Sequence, residues 1–346
     1  MKNTTSVPPT ARRRGFLALT AAVALGASPL TACGGSASGS GNTVTVGVGG
    51  NIFDTPVKLA DAQGYFTKRG IKVKYVQLTS ATGISALQSG SVQFLITSPN
   101  DLFSALNKKL PVEAVSAVGL GNPLGLVVST KFAKAKGLTA QTPADQVAKA
   151  LAGSKPGFSS PNTKAEAGIF LKAYGVDPGK LPWVSLPSPA ADKAALNNGQ
   201  IDWFITSEPL PLQIQAAGDG IVVADPVKVP QWSAKAAGYG LFTTVKKDYA
   251  GRNADTVKKF VAAVQDATNY MNTHPGDATT VRVAQQTLSG VPADVIKSSL
   301  ELVDWPATGA MNDSDWNHTV AFLNSLGTIP GGVEISPDNW TDKYLK

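Results

Sequence analysis

The sequence predicts an α/β protein of two βαβ-type lobes with mainly parallel sheets, followed by a helical C-terminal wrap. Three observations predict it. Short β-branched or apolar runs alternate with helical patterns from Thr43 to about Val128, as expected for parallel strands joined by right-handed crossovers. The pattern then restarts near residue 129. Finally, Leu196-Asn197-Asn198-Gly199-Gln200-Ile201-Asp202-Trp203-Phe204-Ile205-Thr206-Ser207-Glu208-Pro209 echoes Leu87-Gln88-Ser89-Gly90-Ser91-Val92-Gln93-Phe94-Leu95-Ile96-Thr97-Ser98-Pro99. In each copy a helix ends at a Gly, a buried strand follows, and a polar turn with Pro opens the next helix. Two copies in register argue for an internal duplication.

The elements follow in order. Residues 1–33 carry an address. Arg12-Arg13-Arg14-Gly15-Phe16-Leu17 is a charged start with a twin-arginine pattern. Leu17 to Leu30 is apolar but short for a membrane span. Leu30-Thr31-Ala32-Cys33 resembles a bacterial lipobox, which makes Cys33, the single cysteine, the lipidated start of the mature protein. Residues 34–42 form a flexible Gly/Ser linker.

In the body, Thr43 to Val48 is the first strand, and the loop Gly49 to Pro56 precedes a helix ending near Gly64. Ile71 to Val76 is the second strand, Thr79 to Gly83 a polar turn, and Ile84 to Ser89 a helix. The first echo strand follows, then strands at Val112 to Val118 and Leu124 to Val128. After the restart come a short strand at Lys155 to Phe158, a Ser/Thr/Asn cap at Ser159 to Thr163, and the helix Lys164 to Tyr174. The strand Trp183 to Leu186, the helix Ala190 to Asn198, the second echo strand, and the strand Gly220 to Ala224 complete the second unit. Tyr239 to Thr244 is a strand that returns to the first lobe. Helical patterns at Ala254–Asn272, Asp277–Thr287, Pro292–Val303 and Asp313–Leu326 then wrap it.

Turns at the C-terminal ends of parallel strands gather on one edge, where ligands bind. Those turns hold Asn51, Ser80, Thr97 and Ser98. The cap at Ser159 to Thr163 adds a helix N-terminus, which offers free N–H groups and partial positive charge to an anion.

Composition narrows the class. Of the 346 residues, 43% are hydrophobic and 16% charged, which is globular and large enough for two domains. Lys+Arg number 31 against 24 Asp+Glu, but Lys2 and Arg12 to Arg14 lie in the leader, so the remainder is only slightly basic. No basic run or basic-aromatic stripe follows, so nucleic acid is not an expected partner.

These residues resemble the type II substrate-binding proteins of ABC importers, in the nitrate/sulfonate/taurine and thiamine-precursor branch. The resemblance rests on Ala62-Gln63-Gly64-Tyr65-Phe66 with Gly70-Ile71-Lys72-Val73, the helix ending Leu87-Gln88-Ser89-Gly90, and Asn198-Gly199-Gln200-Ile201-Asp202 running into Glu208-Pro209. It covers about residues 43–330. Gln93 stands where this branch often has Asp, a packing or capping change.

The resemblance implies two lobes (43–126 with 240–346, and 127–239) joined by two crossing strands near 126–129 and 238–242, a type II periplasmic binding protein. It implies an exported, lipid-anchored monomer on the outer face of the plasma membrane that delivers a small solute to ABC permease and ATPase subunits. First-lobe ligand contacts would come from Asn51, Phe53, Asp54, Ser80, Thr82, Thr97, Ser98 and Asn100. Second-lobe contacts would come from Ser159, Ser160, Asn162, Thr163, Ser188, Thr206 and Glu208, with Trp232 beside them. Thr206 and Ser98 would face one ligand across the cleft.

After residue 33 the arginines are Arg69, Arg252 and Arg282, none in a predicted cleft turn, so a bidentate Arg clamp is not expected. Hydroxyls and N–H groups suit a sulfonate, taurine or nitrate-like oxyanion. Asp54, Asp101 and Glu208 suit an amine or amino-pyrimidine instead. Phe53, Trp203 and Trp232 are available to stack on a ring, core packing being the first expectation for Trp203. A related fold hosts pyrimidine synthases that use a His and a Cys-rich iron motif. Here the histidines are His274 and His318, both in the late helices, and Cys33 has no partner cysteine, so no enzyme, cofactor or metal site is expected.

Overall fold

The computed structural model describes residues 42–345, which fall within one compact unit. The leader, Cys33 and the linker up to Gly41 lie outside the described residues. Among the described residues ten strands form: β1 (Asn42–Val48), β2 (Ile71–Gln77), β3 (Phe94–Thr97), β4 (Val112–Leu120), β5 (Leu124–Ser129), β6 (Gly157–Phe158), β7 (Val184–Ser185), β8 (Trp203–Ser207), β9 (Gly220–Ala224) and β10 (Tyr239–Lys246).

The first sheet has the order β2-β1-β3-β10-β4. β1 pairs in parallel with β2 and β3, while β10 runs antiparallel between β3 and β4. In the second half, β8-β5-β9 and β6-β7 form two ladders, with β5 antiparallel to both its neighbours. A parallel bridge from Pro156 to Trp203 links the ladders. The combined order, β7-β6-β8-β5-β9, repeats the first sheet strand for strand. In each sheet the one reversed strand is contributed by chain that has just left the other sheet.

The expected duplication is therefore present in the topology. The first crossing comes earlier than the expected 126–129, while the second falls where it was expected. The chain first changes sheets at Gly121 to Pro123, and β5 already lies in the second sheet, between β8 and β9. The return passes through Gly238. The two crossings touch, with Gly121 N–H donating to Gly238 O at 2.9 Å.

Strands β3, β4 and β5 are buried on two faces, which explains their near-continuous apolar sequence, whereas the edge strand β2 alternates buried or half-buried residues with exposed ones. Along β3, Phe94 and Ile96 enter one core with Val46, Phe66 and Phe260, while Leu95 enters another with Leu102, Phe103 and Trp316. Phe94 stacks on Phe260 at 3.8 Å between ring centroids. Along the second sheet, Leu126, Val128 and Trp203 face one core and Val127 and Phe204 the other. The late helices Ala254–Thr273, Ala278–Thr287, Ala293–Glu301 and Asp313–Leu326 form within a residue or two of expectation.

The structure also accounts for Gln93. Its Oε1 accepts from Thr45 N–H at 2.9 Å, and its own N–H donates to Thr45 O at 2.9 Å. Asp202 does the same one sheet over: Oδ2 accepts from Lys155 N–H at 2.8 Å and its N–H donates to Lys155 O at 2.8 Å. The position requires an acceptor that brackets the neighbouring strand. The longer Gln side chain also places Nε2 on Gly90 O, a carbonyl at the preceding helix end.

Candidate functional site

Between the two sheets lies a cavity of about 350 Å³, within the range of small-molecule sites. Three helix N-caps line it. Thr79 caps Ser80–Ser89, Ser98 caps Pro99–Asn107 by accepting from Asp101 N–H, and Ser160 caps Pro161–Ala173 by accepting from Thr163 N–H. A Ser or Thr oxygen satisfies one of the free N–H groups of the first turn and leaves the others for a ligand. Asn51, Thr97, Asn100, Asn122, Asn162, Thr163 and Ser207 add amides and hydroxyls.

Of the expected contacts, Asn51, Phe53, Thr97, Ser98, Asn100, Ser160, Asn162 and Thr163 come together in this lining. Ser80 opens its helix. The others serve the walls and do not line the cavity. Thr82 closes a capping box with Thr79. Ser188 caps Pro189–Asn197 by accepting from Ala191 N–H. Ser159 sits by Asp192, a carboxyl that burial pushes up to about 6. Trp232 is fully buried in the second core, tilted against Phe170. Thr206 and Glu208 are also buried, at 6% and 3% exposure. Successive residues of a strand point to opposite faces. Ser207 thus joins Ser98, its counterpart in the first copy, in the lining, while Thr206 is turned away although its counterpart Thr97 is not.

Asp54 shows why a polar residue in the right loop need not touch ligand. It is buried, and its carboxylate accepts from Gly49, Gly50 and Asn51 N–H at 3.0, 2.6 and 3.1 Å. Burial raises its pKa, and those three N–H groups and Lys58 oppose the rise. Asp54 shapes the loop that presents Asn51 and Phe53. We expect Asp54→Ala to cost about 2–3 kcal/mol and to weaken ligand binding through the loop. Urea titration and calorimetry check this, and an unchanged midpoint would contradict the role.

Three groups in the lining escaped sequence reasoning. Asn122 lies in the first crossing, where Gly121-Asn122-Pro123 interrupts two apolar strands. Glu166 lies on the helix Pro161–Ala173 among Ala167, Phe170 and Leu171, and an acid on an apolar face is the signal that was available. Asn122 Nδ2 donates to Glu166 Oε1 at 2.6 Å. Burial pushes the Glu166 carboxyl up to about 8, and the Asn122 bond only partly offsets it. The third group is the apolar wall Phe322, Leu323 and Leu326 from Asp313–Leu326, a helix expected only to wrap. Asp101, whose Oδ2 accepts from Ser98 Oγ–H at 2.9 Å, is the other carboxyl in the lining. Among the described residues no Lys, Arg or His lines this cavity. His274 lines a separate hollow with Glu301 and Asp304.

A family model described as NMT1/THI5 like matches residues 51–278. The chain is 24% identical over 311 residues to the 4-amino-5-hydroxymethyl-2-methylpyrimidine phosphate synthase THI13 of Saccharomyces cerevisiae, covering 85% of this chain and 84% of the relative. Its fold is similar to the periplasmic aliphatic sulphonate binding protein SsuA from Escherichia coli, with a TM-score of 0.67 and 19% identity over 88% of this chain and 99% of that one. It is also similar to the periplasmic nitrate-binding protein NrtA from Synechocystis PCC 6803, with a TM-score of 0.57 and 18% identity over 75% of this chain and 70% of that one. At these identities the structural likeness is one of fold.

Proposed function

The chain belongs to the NMT1/THI5-like family, and from that premise we propose that it is the extracytoplasmic solute-binding component of an ABC importer. It captures a small organic solute with a sulfonate-type oxyanion and hands it to a membrane permease with its ATPase. One observation carries this reading. Three helix N-caps converge on a cavity lined by hydroxyls and amides without a cationic side chain. Helix N-termini supply N–H donors and partial positive charge, so they hold an oxyanion without Lys or Arg. The apolar wall of Leu78, Ile84, Phe322 and Leu326 suits the carbon body of an organic solute better than nitrate.

In this reading the chain up to β4, with β10 and all that follows it, forms one lobe and β5 to β9 the other, the boundary moving from the expected 126/127 to the first crossing. Solute favours their closed arrangement about the touching crossings, since a ligand shifts such an equilibrium by its differential affinity. Cys33 carries the lipid anchor, and the protein acts as a monomer. Membrane fractionation checks the anchor: Cys33→Ala is expected in the soluble fraction, and its retention on membranes would refute lipidation.

A second reading has one observation behind it. Glu166 and Asn122 place an acid beside an amide, a pairing that matches the hydrogen-bonding edge of an aminopyrimidine, and the yeast relative is named a pyrimidine phosphate synthase. Synthase activity is less well supported, because neither His274 nor His318 lines the cavity.

A thermal-shift panel of alkanesulfonates, aminoalkanesulfonates, nitrate and aminopyrimidines separates the readings. A ligand at a hundred times its Kd stabilises by about 2.7 kcal/mol, a rise of several degrees. Stabilisation by sulfonates is expected. Stabilisation by aminopyrimidines alone would move the protein to the second reading, and no stabilisation by any member would count against both.

A further inference from the structure

Among the described residues the cavity carries two carboxyls, Asp101 and Glu166, and no cationic side chain to balance them. Glu166 is 5% exposed, yet it lines the cavity. Its hydrogen bond comes from a neutral amide, Asn122, and no ion pair reaches it among the described residues. A buried charge without a partner costs far more than one that is paired. The empty site therefore favours a protonated Glu166, in line with the rise that burial imposes on it. A bare oxyanion leaves this group unused and also meets the Asp101 carboxyl.

We propose that Glu166 is the specificity-determining residue for a cationic nitrogen on the solute, so that the cavity takes a zwitterion with its oxyanion at the helix N-caps and its ammonium at Glu166. This rests on the oxyanion reading above. The exchange balances: the neutral Glu166 carboxyl and the incoming ammonium ion give a carboxylate–ammonium pair, and one proton passes to solvent. Binding thus releases close to one proton where the empty site is protonated and none where it is already ionised.

Other titratable groups lie on the elements packed against the Glu166 helix. They are Asp313, Asp315 and His318 on Asp313–Leu326, Lys180 on the turn after Asp177, and Lys164 and Lys172 on the helix itself. None hydrogen-bonds to Glu166, and Lys164 is turned onto the Phe158 and Trp183 rings. The control variant Glu166→Gln removes the proton and keeps the shape.

The probes are 3-aminopropanesulfonate and propanesulfonate, titrated calorimetrically at pH 7 in two buffers of different ionisation heat. Expected is tighter binding of the aminosulfonate, with release of close to one proton that vanishes in Glu166→Gln. The same variant should bind the aminosulfonate at least about thirtyfold more weakly and change little toward propanesulfonate. Equal affinities for the two probes, or proton release that survives in Glu166→Gln, would overturn the inference and leave the transport reading standing. Binding of neither probe would overturn both.

Discussion

Gly240→Ala is expected to lower stability by about 3 kcal/mol, near the upper end for inserting a methyl group into packed structure, and the melting midpoint by about 5 °C. A Cβ at residue 240 would lie 2.3 Å from Gly121 O and 3.4 Å from Gly119 O. Both contacts are backbone, so no side chain can rotate away. The register of β10 against β4 shifts across this residue, between Tyr239 and Leu241, and again just after it, between Leu241 and Phe242, where the two crossings approach closely. Relief of the clash would have to separate Gly121 from Gly238 and break their hydrogen bond. Gly121, Asn122 and Gly240 also line the cavity, so the variant should bind ligand more weakly than its stability loss alone would dictate. Gly251→Ala is the contrast. It lies within the helix Lys247–Arg252, and nothing stands within 4 Å of the added Cβ. There the change should be neutral or stabilising by up to about 1 kcal/mol. A Gly240→Ala protein that melts within about 1 °C of wild type would refute the close approach.

These crossings mark the limit of what sequence patterns carry. Hydrophobic period and turn residues specify which segments are strands and helices, so the strands and the long helices were legible, whereas the short helices Thr130–Lys136, Ala144–Leu151 and Lys247–Arg252 were not read. The echo of Leu87 to Pro99 in Leu196 to Pro209 was also enough to reveal the duplication that strand order displays. Periodicity does not say which strand pairs with which. The return of Tyr239 to Thr244 to the first sheet was expected, but that β5 already pairs within the second sheet is a long-range fact, decided where two buried ladders complete each other. The site was legible where backbone caps made it, as at Ser98 and Ser160, because capping residues declare themselves locally. It was not legible at Thr206 and Glu208, where a shift of one residue along β8 decides which face meets the cavity, nor at Asp54, where a carboxylate serves the loop. Glu166 and Phe322 were hidden for another reason. Each lies on a helix whose buried face is shared between core and cavity, and sequence does not divide the two.

The protein should be most stable near pH 5 and lose stability as pH rises toward 8, and Glu208→Gln should remove a large part of that loss. Glu208 follows β8 and precedes the helix Leu210–Ala216. Its Oε2 accepts from Leu212 N–H at 3.2 Å, but its Oε1 has no partner. Ser299 Oγ lies near the carboxyl but gives its proton to Val295 O. Burial pushes Glu208 up to about 8, with Asp225 adding to the rise and Leu212 N–H and Ser299 opposing it. The sign follows from proton counts. Between the ordinary carboxyl value of 4.5 and about 8, the folded chain holds this proton and the unfolded chain has lost it. Folding thus takes up a proton, and stability falls with pH across that window and levels off above it. Each pH unit inside the window is worth about 1.4 kcal/mol per group, so the total is a few kcal/mol. Glu166 contributes with the same sign over the same window, and Asp192 over a shorter one that ends near pH 6. Gln keeps the shape of the protonated acid, so Glu208→Gln should match wild type near pH 5 and melt several degrees higher at pH 8.5. Because Glu208 does not line the cavity, the variant should bind ligand within about twofold of wild type (under 0.5 kcal/mol). Urea titrations of both proteins from pH 5 to 9 decide the matter: parallel curves would show that this carboxyl is ionised in the folded chain and that its burial is relieved in solution.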